Sequence, residues 1–432
     1  MAVTRRSFLA ASAVAGAAFA APAVHGADKN HRYRTALVGS GWWGMNILRT
    51  AIAAGRSSVV AMCDVDSNQL DPAVAEVENK TGAAPKKYKD YRELLEKEKP
   101  EIVIVGTPDH WHPLCTIAAV NAGAHVYVEK PISHTIAEGR AMVQAARAND
   151  RVVQVGTHRR ASPHCISAQK FMKEGKLGKI GMVRAFVLYA GGPGTPEPDS
   201  DPPPGLDWDM WCGPAPLRPF NKRIHPKGFR AFLDYANGTL GDWGIHWMDQ
   251  ILWWAEEQQY PKSVHSTGGR HIKEDNTDAP DAQVVNYEFD GFTVVWEHRQ
   301  FGGNGAEKHN VGCYFYGTEG MLHLGWLDGW TFYPTGRSRE PIHEEAQLHL
   351  PDQQNIPELW ENFLACIESG QKPLSDIEFG HRSTTMSLLG MLSLKLGRSV
   401  RWDGEKEVVP GDDEANRLLR REYRQPWQYP QV

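Results

Sequence analysis

The fold of this chain is decided by one stretch, Thr35-Ala36-Leu37-Val38-Gly39-Ser40-Gly41-Trp42-Trp43-Gly44. Its apolar first part predicts a buried strand, and a helical pattern follows its three glycines. Gly39 would allow a tight turn, Gly41 would let a pyrophosphate approach the backbone, and Gly44 would let strand and helix pack closely. Free N–H groups at the start of the helix would bind phosphate. This order of strand, glycine turn and helix predicts a dinucleotide-binding unit.

A second apolar run, residues 58–63, ends at Asp64, twenty residues after the last glycine of the turn. In dinucleotide-binding folds a carboxylate at this position accepts hydrogen bonds from the adenosine ribose. A carboxylate here repels a 2′-phosphate, so the predicted cofactor is NAD, with NADP less favoured. Asp66 either shares this role or caps the helix that follows. The predicted cofactor-binding residues of the turn also include Trp42 and Trp43.

Two further strands end in polar residues that would face the same ligand. Residues 101–106 run into Thr107-Pro108-Asp109-His110-Trp111-His112. A strand at residues 125–131 ends in Glu129-Lys130-Pro131, and a strand at 152–156 closes the sheet. Because parallel sheets bind ligands at the carboxyl ends of their strands, cofactor contacts are predicted from Thr107, His110, His112, Glu129 and Lys130. The two histidines have poor spacing for one helical face and no third ligand nearby, so no metal site is predicted.

The pattern changes in the second half of the chain. Residues 182–189 alternate between apolar and polar, as a half-buried strand does. Consecutive strands with short connections indicate an antiparallel or mixed sheet, and therefore an α+β domain. A stretch rich in Gly, Pro and Asp at residues 191–219 contains Trp208 and Trp211, which predicts an ordered loop over the site or at a subunit contact. The further strands are predicted at residues 282–289, 292–299, 311–316 and 321–324.

Asp242, His246 and Asp249 are spaced at i, i+4 and i+7, so on a helix they would share one face. A carboxylate one turn from a histidine can fix its tautomer and raise its basicity, which a proton-abstracting base needs. The alternative is a helix whose polar residues face water. Bulky apolar neighbours such as Trp243 and Ile251 leave little solvent-facing surface, which favours a site.

Three further residues are candidates for contact with a substrate. His158 and Arg160 follow the last strand of the first half, where a role at the interface between domains also fits. Tyr235 precedes the glycine-rich segment before Asp242 and would donate a hydrogen bond to a substrate oxygen. The tryptophans near these positions fit either stacking on a sugar ring or ordinary core packing.

Residues 1–27 have the pattern of an export signal. Thr4-Arg5-Arg6-Ser7-Phe8-Leu9 contains a twin arginine, an alanine-rich apolar run follows, and Ala21-Pro22-Ala23 supplies small residues around a cleavage point. The apolar run is too short for a permanent membrane span. The predicted location is periplasmic or otherwise exported, reached by the twin-arginine route.

Charge and cysteine content bear on the remaining classes of partner. A net charge of −5 over 432 residues leaves no basic surface of the kind that nucleic acid requires. The six cysteines show no C-x-x-C pattern, and several lie in predicted core elements. A protein that folds before export folds in a reducing compartment, so most of these cysteines are predicted to be buried thiols.

Four motifs in order resemble the Gfo/Idh/MocA family, named after glucose–fructose oxidoreductase, inositol dehydrogenase and rhizopine catabolism. The first three are the glycine turn, the V-G-T-P-x-x-x-H loop at residues 105–112, and Glu129-Lys130-Pro131. The fourth lies within residues 238–249, where residues 242–249 match D-x-G-x-H-x-x-D. The resemblance covers the chain from about Tyr33 to its end.

The resemblance implies a Rossmann α/β domain with a doubly wound parallel sheet and an α+β domain with an open, mostly antiparallel sheet. After the predicted signal at 1–27, the implied limits are 33–158 for the NAD-binding domain and 159–375 for the substrate and oligomerisation domain. Residues 376–432 would form a C-terminal helix and tail that pack back on the NAD-binding domain. The family often uses the open sheet for oligomer contacts, which implies a homodimer or homotetramer.

The family's chemistry implies catalytic roles for Lys130, Asp242 and His246 beside the nicotinamide. Lys130 would polarise the oxygen of a secondary alcohol, His246 would take its proton, and Asp242 would hold substrate hydroxyls. The resemblance leaves open which of Lys130 and His246 is the formal base. The implied substrate is a small sugar, sugar derivative or cyclic polyol. Export favours a tightly bound and recycled cofactor, because free NAD is scarce outside the cytoplasm.

Two alternatives stay open at this point. The run Gly156-Thr157-His158-Arg159-Arg160-Ala161-Ser162-Pro163 is similar to NAD-dependent glycoside hydrolases, which oxidise C3, eliminate the aglycone, add water and reduce again. The other alternative is a non-catalytic sugar-binding protein on the same scaffold. Loss of Lys130, Asp242 and His246 would be its signature, and the chain retains all three.

Overall fold

The computed structural model describes residues 31–256, 260–336 and 339–431. The predicted export signal lies outside these residues. The described chain contains a parallel sheet of six strands and a mixed, mostly antiparallel sheet of nine strands. The predicted fold class, a doubly wound parallel sheet followed by an α+β domain, is therefore confirmed.

The first sheet has the strand order β3-β2-β1-β4-β5-β6, and every pairing in it is parallel. The order reverses between β1 and β4, which is the point where such sheets bind their ligands. The strands β4, β5 and β6 are short and largely apolar because helices cover both faces of the sheet. The strands are β1 (Tyr33–Val38), β2 (Ser57–Cys63), β3 (Lys86–Tyr88), β4 (Ile102–Val105), β5 (His125–Val128) and β6 (Val153–Val155). The helices of this half are α1 (Trp42–Ala53), α2 (Ser67–Thr81), α3 (Tyr91–Glu98), α4 (His112–Asn121) and α5 (Ile136–Ala148).

The second sheet has the order β14-β13-β12-β11-β7-β10-β9-β8-β15. Only its central pair, β7 and β10, is parallel. Helices pack on one face of this sheet and form the largest apolar core of the described chain with it. The strands are β7 (Ile180–Leu188), β8 (Ser263–Gly269), β9 (Ala282–Glu288), β10 (Thr293–Arg299), β11 (Val311–Gly317), β12 (Gly320–Gly325), β13 (Trp330–Pro334), β14 (Ile342–Glu344) and β15 (Val400–Arg401). The helices are α6 (Pro163–Lys173), α7 (Trp208–Cys212), α8 (Ile245–Ala255), α9 (Ile356–Ser369), α10 (Ile377–Leu396) and α11 (Asp413–Arg417).

A long segment between β7 and α8 crosses back to the nucleotide-binding half, and we call its residues 200–230 the strap. Backbone N–H groups join the strap to the region after β2: Asp207 donates to Val65 at 2.9 Å, and Ser67 donates to Gly205 at 3.0 Å. Trp208 and Trp211 stack 4.6 Å apart inside an apolar cluster of the strap. The predicted ordered loop over the site therefore exists, and its tryptophans form its core.

The C-terminal part of the chain contacts both halves. Arg421 and Tyr423 bond the buried carboxylate of Glu138 on α5, while β15 joins the second sheet beside β8. Trp360 of α9 packs 5.9 Å from Tyr127 of β5 in the core of the first half. The predicted limit of 375 assigns α9 to the second domain, but its apolar face covers the first sheet.

The six cysteines are buried and form no disulfide in the structure, in agreement with the prediction of buried thiols. Their positions in strands and helices of both halves explain the absence of a regular spacing in the sequence. Among the helices that the structure describes, none combines the length and apolar character needed to cross a membrane.

Candidate active site

A cleft lies at the carboxyl edge of the first sheet, where β1 and β4 diverge. The turns after β1, β2, β4 and β5 form one side, and the strap and the start of α8 form the other. The cleft encloses about 470 Å³, within the range of ~300–1,000 Å³ that is usual for ligand sites.

The glycine turn has the geometry that the sequence predicts. Gly39 has φ +90°, and a side chain on Gly44 would place Cβ 2.1 Å from the Gly39 carbonyl oxygen. Gly41, in contrast, has open space where a Cβ would lie. Helix α1 begins after Gly41 without a side-chain cap and without an acidic residue in its first turn. Its N–H groups are therefore free for an anion, and the site fits the pyrophosphate of a dinucleotide.

Asp64 lies at the end of β2 and lines the cleft. One of its oxygens accepts hydrogen bonds from the backbone N–H and the hydroxyl of Ser40, at 2.7 and 3.0 Å, and the other accepts from the N–H of Asp66. Burial raises the pKa of Asp64, and these bonds oppose the shift. The carboxylate is held beside the glycine turn, which is the position from which it would accept hydrogen bonds from the adenosine ribose. Asp66 caps α2 and contacts His225 of the strap instead.

The loop after β4 is held by His112, whose ring nitrogens lie 2.7 Å from the carbonyl oxygen of Pro131 and 2.8 Å from that of Thr107. Burial lowers the pKa of His112 to about 4, so the neutral ring donates to one carbonyl at a time. Thr107 and His112 line the cleft. His110 does not: its Nε2 lies 2.9 Å from the carbonyl oxygen of Trp211, which joins the loop to the strap.

Lys130 and Asp242 meet across the cleft. The Lys130 Nζ donates to the Asp242 Oδ1 at 2.8 Å and to its backbone oxygen at 2.9 Å, and the Arg230 Nε donates to the same Oδ1 at 2.9 Å. Burial alone would raise the pKa of Asp242, but the two cations hold it below its ordinary value. The carboxylate therefore stays charged and fixes both cations in the cleft.

Two other carboxyl groups are buried in the cleft wall. Asp109 is 2% exposed, and its Oδ2 has no hydrogen-bond partner in the part of the chain that the structure describes. Burial raises the pKa of Asp109 to about 7, although Arg230 and Lys130 act in the opposite direction. Burial also raises the pKa of Glu129 to about 7. Near neutral pH both groups carry only part of a negative charge.

His246 faces the cleft but is not paired with Asp242. Residues Leu240–Gly244 form a π-helical turn ahead of α8, which interrupts the regular helical spacing. The Nδ1 of His246 is buried and has no hydrogen-bond partner among the described residues. The predicted fixing of its tautomer by Asp242 is therefore wrong, because the carboxylate binds two cations instead. Burial, followed by the charge of Lys130, lowers the pKa of His246 well below its ordinary value.

An aromatic wall surrounds His246. Its ring lies 4.9 Å from Trp326 and 5.4 Å from His158, and Trp243 lies 4.9 Å from Trp326. All four residues line the cleft. Flat apolar faces next to a polar cluster suit a ring that carries hydroxyl groups, because the faces stack and the edges hydrogen-bond.

Arg160 and Asp249 do not belong to this cleft. The Arg160 Nε lies 2.8 and 3.0 Å from the two oxygens of Asp249, and the hydroxyl of Ser383 on α10 donates to the same carboxylate at 2.9 Å. This buried ion pair holds the segment after β6 against α8 and α10. The structure thus favours the interface role for Arg160 over contact with a substrate.

Tyr235 is also placed away from the cleft. It is fully buried in the strap's aromatic cluster, 4.9 Å from Trp211, and its hydroxyl contacts the Cys212 sulfur at 3.3 Å. The predicted hydrogen bond to a substrate is not possible from this position. The remaining predicted site residues that line the cleft are Gly39, Gly41, Trp42, Trp43, Thr107, His112, Glu129, Lys130 and His158.

Several residues of the cleft have no signal in the local sequence. Arg230 comes from the strap and Trp326 from the turn between β12 and β13. Each is remote in sequence from the motifs it meets in space. Asp109 was visible inside the V-G-T-P-x-x-x-H loop, but only the structure shows that its carboxyl group lies beside Lys130.

Comparison with known families accounts for most of the chain. A family model described as the NAD-binding Rossmann fold of the oxidoreductase family GFO_IDH_MocA matches residues 33–157. A second model, described as the C-terminal alpha/beta domain of this oxidoreductase family, matches residues 192–429. The chain belongs to the Gfo/Idh/MocA oxidoreductase family. The resemblance inferred from the four motifs is confirmed.

Three curated relatives are similar to this chain over part of their length. Levoglucosan dehydrogenase of Pseudarthrobacter phenanthrenivorans is 28% identical over 41% of this chain and 39% of its own. Inositol 2-dehydrogenase of Salmonella typhimurium is 30% identical over 35% and 44%, and a glycosyl hydrolase family 109 protein of Stenotrophomonas maltophilia is 33% identical over 30% of each. The chain matches less than half of the length of each of these relatives.

Solved structures of the family share the fold. The structure of levoglucosan dehydrogenase in complex with NADH and levoglucosan superposes with a TM-score of 0.66 over 86% of this chain and 99% of that one, at 18% identity. At this identity the likeness establishes the fold alone.

Proposed function

We propose that this protein is an NAD-dependent oxidoreductase that acts on a secondary hydroxyl of a sugar, sugar derivative or cyclic polyol. The observation that carries the proposal is the contact between Lys130 and Asp242 next to His246 and the glycine turn. NAD bound in this cleft would supply the hydride acceptor. The carboxylate of Asp64 at the ribose position favours NAD over NADP.

The lysine is arranged to polarise a substrate oxygen. Its ammonium group has three N–H bonds, and two of them bind Asp242. The third remains for the oxygen of the alcohol that becomes a carbonyl. The neutral ring of His246 offers a nitrogen that can accept the released proton. In this arrangement Asp242 positions Lys130 and does not act on His246.

The strap supports retention of the cofactor. It closes the cleft opposite the glycine turn. The contact between His225 and Asp66, at 2.9 Å, joins it to the segment after β2, where the adenosine ribose would bind. A nucleotide in the cleft would lie under this segment and leave only after the strap moves. Retention suits an enzyme that recycles its NAD outside the cytoplasm. Export is the location that we propose from the twin-arginine motif.

The test is to purify the exported protein, denature it, and identify the released nucleotide by mass and redox state. About one NAD or NADH per chain after extensive washing is the expected result. A protein that is isolated empty and binds NAD only weakly would contradict retention, although the oxidoreductase proposal would then still be open to direct assay.

A second candidate function is redox-neutral cleavage of a glycoside. Similarity to a glycosyl hydrolase family 109 protein and the run at residues 156–163 favour it. Release of p-nitrophenol from a panel of p-nitrophenyl glycosides, without net reduction of NAD, would select this function. Reduction of NAD by free sugars without glycoside cleavage would select the first.

The open sheet supports a proposal of a homodimer or homotetramer. Large apolar side chains are exposed on four of its strands, at Met182, Val284, Tyr333 and Ile342. Burial of such side chains against a second copy would stabilise an oligomer. Light scattering of the purified protein measures its size directly.

A further inference from the structure

Arg230 has one edge of its guanidinium group in use and one edge free. Its Nε binds Asp242, and the group packs 4.6 Å from the centre of the Phe229 ring. Neither Nη1 nor Nη2 makes a hydrogen bond to the residues that the structure describes. Arg230 lines the cleft, and its side chain is 37% exposed. The free edge is therefore accessible to a ligand.

This edge has the geometry that binds a carboxylate. A guanidinium group presents parallel N–H bonds that match two carboxylate oxygens, and a group already held in place loses little freedom on binding. Asp242 and Phe229 hold Arg230 in place. Since Lys130 and Arg230 share one oxygen of Asp242, the free edge lies close to the Lys130 ammonium group, which under the proposed function binds the substrate hydroxyl.

The charges around this end favour an anion. Arg159 is 4% exposed and stacks 3.9 Å from the centre of the Trp326 ring, and none of its guanidinium nitrogens has a hydrogen-bond partner in the described chain. Lys130 and Arg230 thus share one charged carboxylate, Asp242, and Arg159 adds a third cation against Trp326 of the cleft wall. Because burial raises the pKa values of Asp109 and Glu129 to about 7, these groups neutralise the excess only in part.

We infer that the substrate carries a carboxylate, as a uronate or an aldonate does, and that the Nη edge of Arg230 binds it. The inference rests on the proposed oxidoreductase function and specifies its substrate class. The carboxylate would lie beside Arg230 while Lys130 holds the hydroxyl to be oxidised. Trp326 and Trp243 would contact the apolar face of the sugar.

The pyrophosphate of the cofactor is the other anion that Arg230 would attract. The glycine turn and the N-terminus of α1 already provide a site for it, and Arg230 is tied to Asp242 rather than to that turn. The experiment therefore measures nucleotide affinity separately from sugar affinity.

The test compares binding of matched acid and neutral sugars to the NADH-loaded protein by calorimetry. The pairs are D-glucuronate with D-glucose, D-galacturonate with D-galactose, and D-gluconate with D-glucitol. For at least one pair, we expect the acid to bind more tightly than its neutral partner by roughly 10- to 100-fold. Arg230→Gln should weaken binding of the acid far more than binding of its neutral partner and so remove most of this preference, while the affinity for NADH stays nearly unchanged. Arg230→Lys should keep part of the preference.

Lys222→Gln is the matched control, because it removes a cation from the same strap at an exposed surface pair with Glu197. It should keep the full preference for acids. The inference is overturned if no acid binds more tightly than its neutral partner, or if Arg230→Gln weakens both members of a pair equally, as loss of Asp242 positioning alone would do. It is also overturned if the variant loses affinity for NADH instead. Binding requires no turnover, so failure of the proposed redox function would appear separately, as absence of NAD reduction by every sugar.

Discussion

Lys130 is the residue on which the proposed chemistry depends most directly. Replacement by Met keeps an unbranched side chain of similar length but removes the ammonium group, while Asp242 retains Arg230 as a partner. We expect kcat to fall by roughly 10²- to 10⁴-fold with little change in NADH affinity, because the nucleotide is held mainly by the glycine turn. Steady-state rates and titration of tryptophan fluorescence with NADH measure the two effects.

Lys87→Met is the control for this substitution, since Lys87 forms an exposed surface pair with Asp71. Its activity should match that of the unmodified protein. Equal loss of NADH affinity and of rate in the Lys130 variant would show that the lysine holds the cofactor rather than the substrate.

Asp109 provides a prediction about pH. Its pKa is raised in the folded protein to about 7, so its ionisation on going from acid to neutral pH destabilises the folded state. Stability is therefore fully present below the unfolded pKa and is lost as pH rises through the folded value. Asp109→Asn removes this loss. We therefore expect the free energy of unfolding of the variant, relative to that of the unmodified protein, to increase by roughly 2–4 kcal/mol on going from about pH 5 to about pH 8.

Urea unfolding of the nucleotide-free protein at both pH values measures this difference. Asp71→Asn, at an exposed position, should show no such gain. A constant difference in stability between the Asp109 variant and the unmodified protein at both pH values would contradict the assignment of the shift to Asp109.

The sequence predicted which side chains form the site, but it did not predict which of them bind each other. Lys130, Asp242 and His246 do converge, because strand ends and a motif placed them. The partner of Asp242 could not be predicted, since Arg230 comes from an irregular segment that no periodicity describes. Tyr235 was misplaced because a tyrosine next to a motif gives no indication of the direction of its side chain.

Among the elements, the turn between β1 and α1 gives the clearest contrast. Gly44→Ala would place a methyl group 2.1 Å from the Gly39 oxygen, whereas Gly41 has no atom within 4 Å of the added carbon and a φ of −64° that alanine accepts. We expect Gly44→Ala to lose roughly 1–3 kcal/mol of stability. Gly41→Ala should unfold like the unmodified protein but bind NADH more weakly, because the methyl group occupies the space for the pyrophosphate.

The two variants control for each other, with unfolding in urea and NADH titration as the paired measurements. Unchanged NADH affinity in Gly41→Ala would show that the nucleotide does not approach this glycine. Equal destabilisation of both variants would show that the turn tolerates no side chain at all.

The regular elements were predictable and the irregular ones were not. Strands such as Ala282–Glu288 and Val311–Gly317 were predicted as successive short strands with turns between them. The π-helical turn at Leu240–Gly244 has no such signature, because its extra residue changes only the phase of the helix. In the structure Asp242 binds Lys130 and Arg230 rather than the histidine it was expected to orient.

The buried ion pair of Arg160 and Asp249 stabilises the contact between the two halves of the molecule. It links the end of the first sheet to α8, and Ser383 extends the link to α10. Asp249→Ala would leave the guanidinium group buried without its partner, which costs about 3–5 kcal/mol. Asp71→Ala, which breaks an exposed pair, should cost less than about 1 kcal/mol. Differential scanning calorimetry of both variants tests this, and equal melting temperatures would contradict it.

Sequence alone could not show how the halves are joined. Leu359 and Trp360 of α9 cover the first sheet although they follow the strands of the second, and an amphipathic pattern does not say which sheet a helix will meet. The D-x-G-x-H-x-x-D match suggested one site, but its last aspartate serves the junction between halves and only its first aspartate and its histidine serve the cleft.

The strap has a consequence for how hydrogen would move between molecules. If the nucleotide stays beneath residues 200–230 throughout, the first product must depart before the second sugar can be reduced by the same nicotinamide ring. Deuterium placed on the donor carbon would then appear on the acceptor sugar without dilution by a pool of free NADH. Reciprocal plots of rate against the two sugars would form parallel lines, the pattern of an enzyme that alternates between two stable forms.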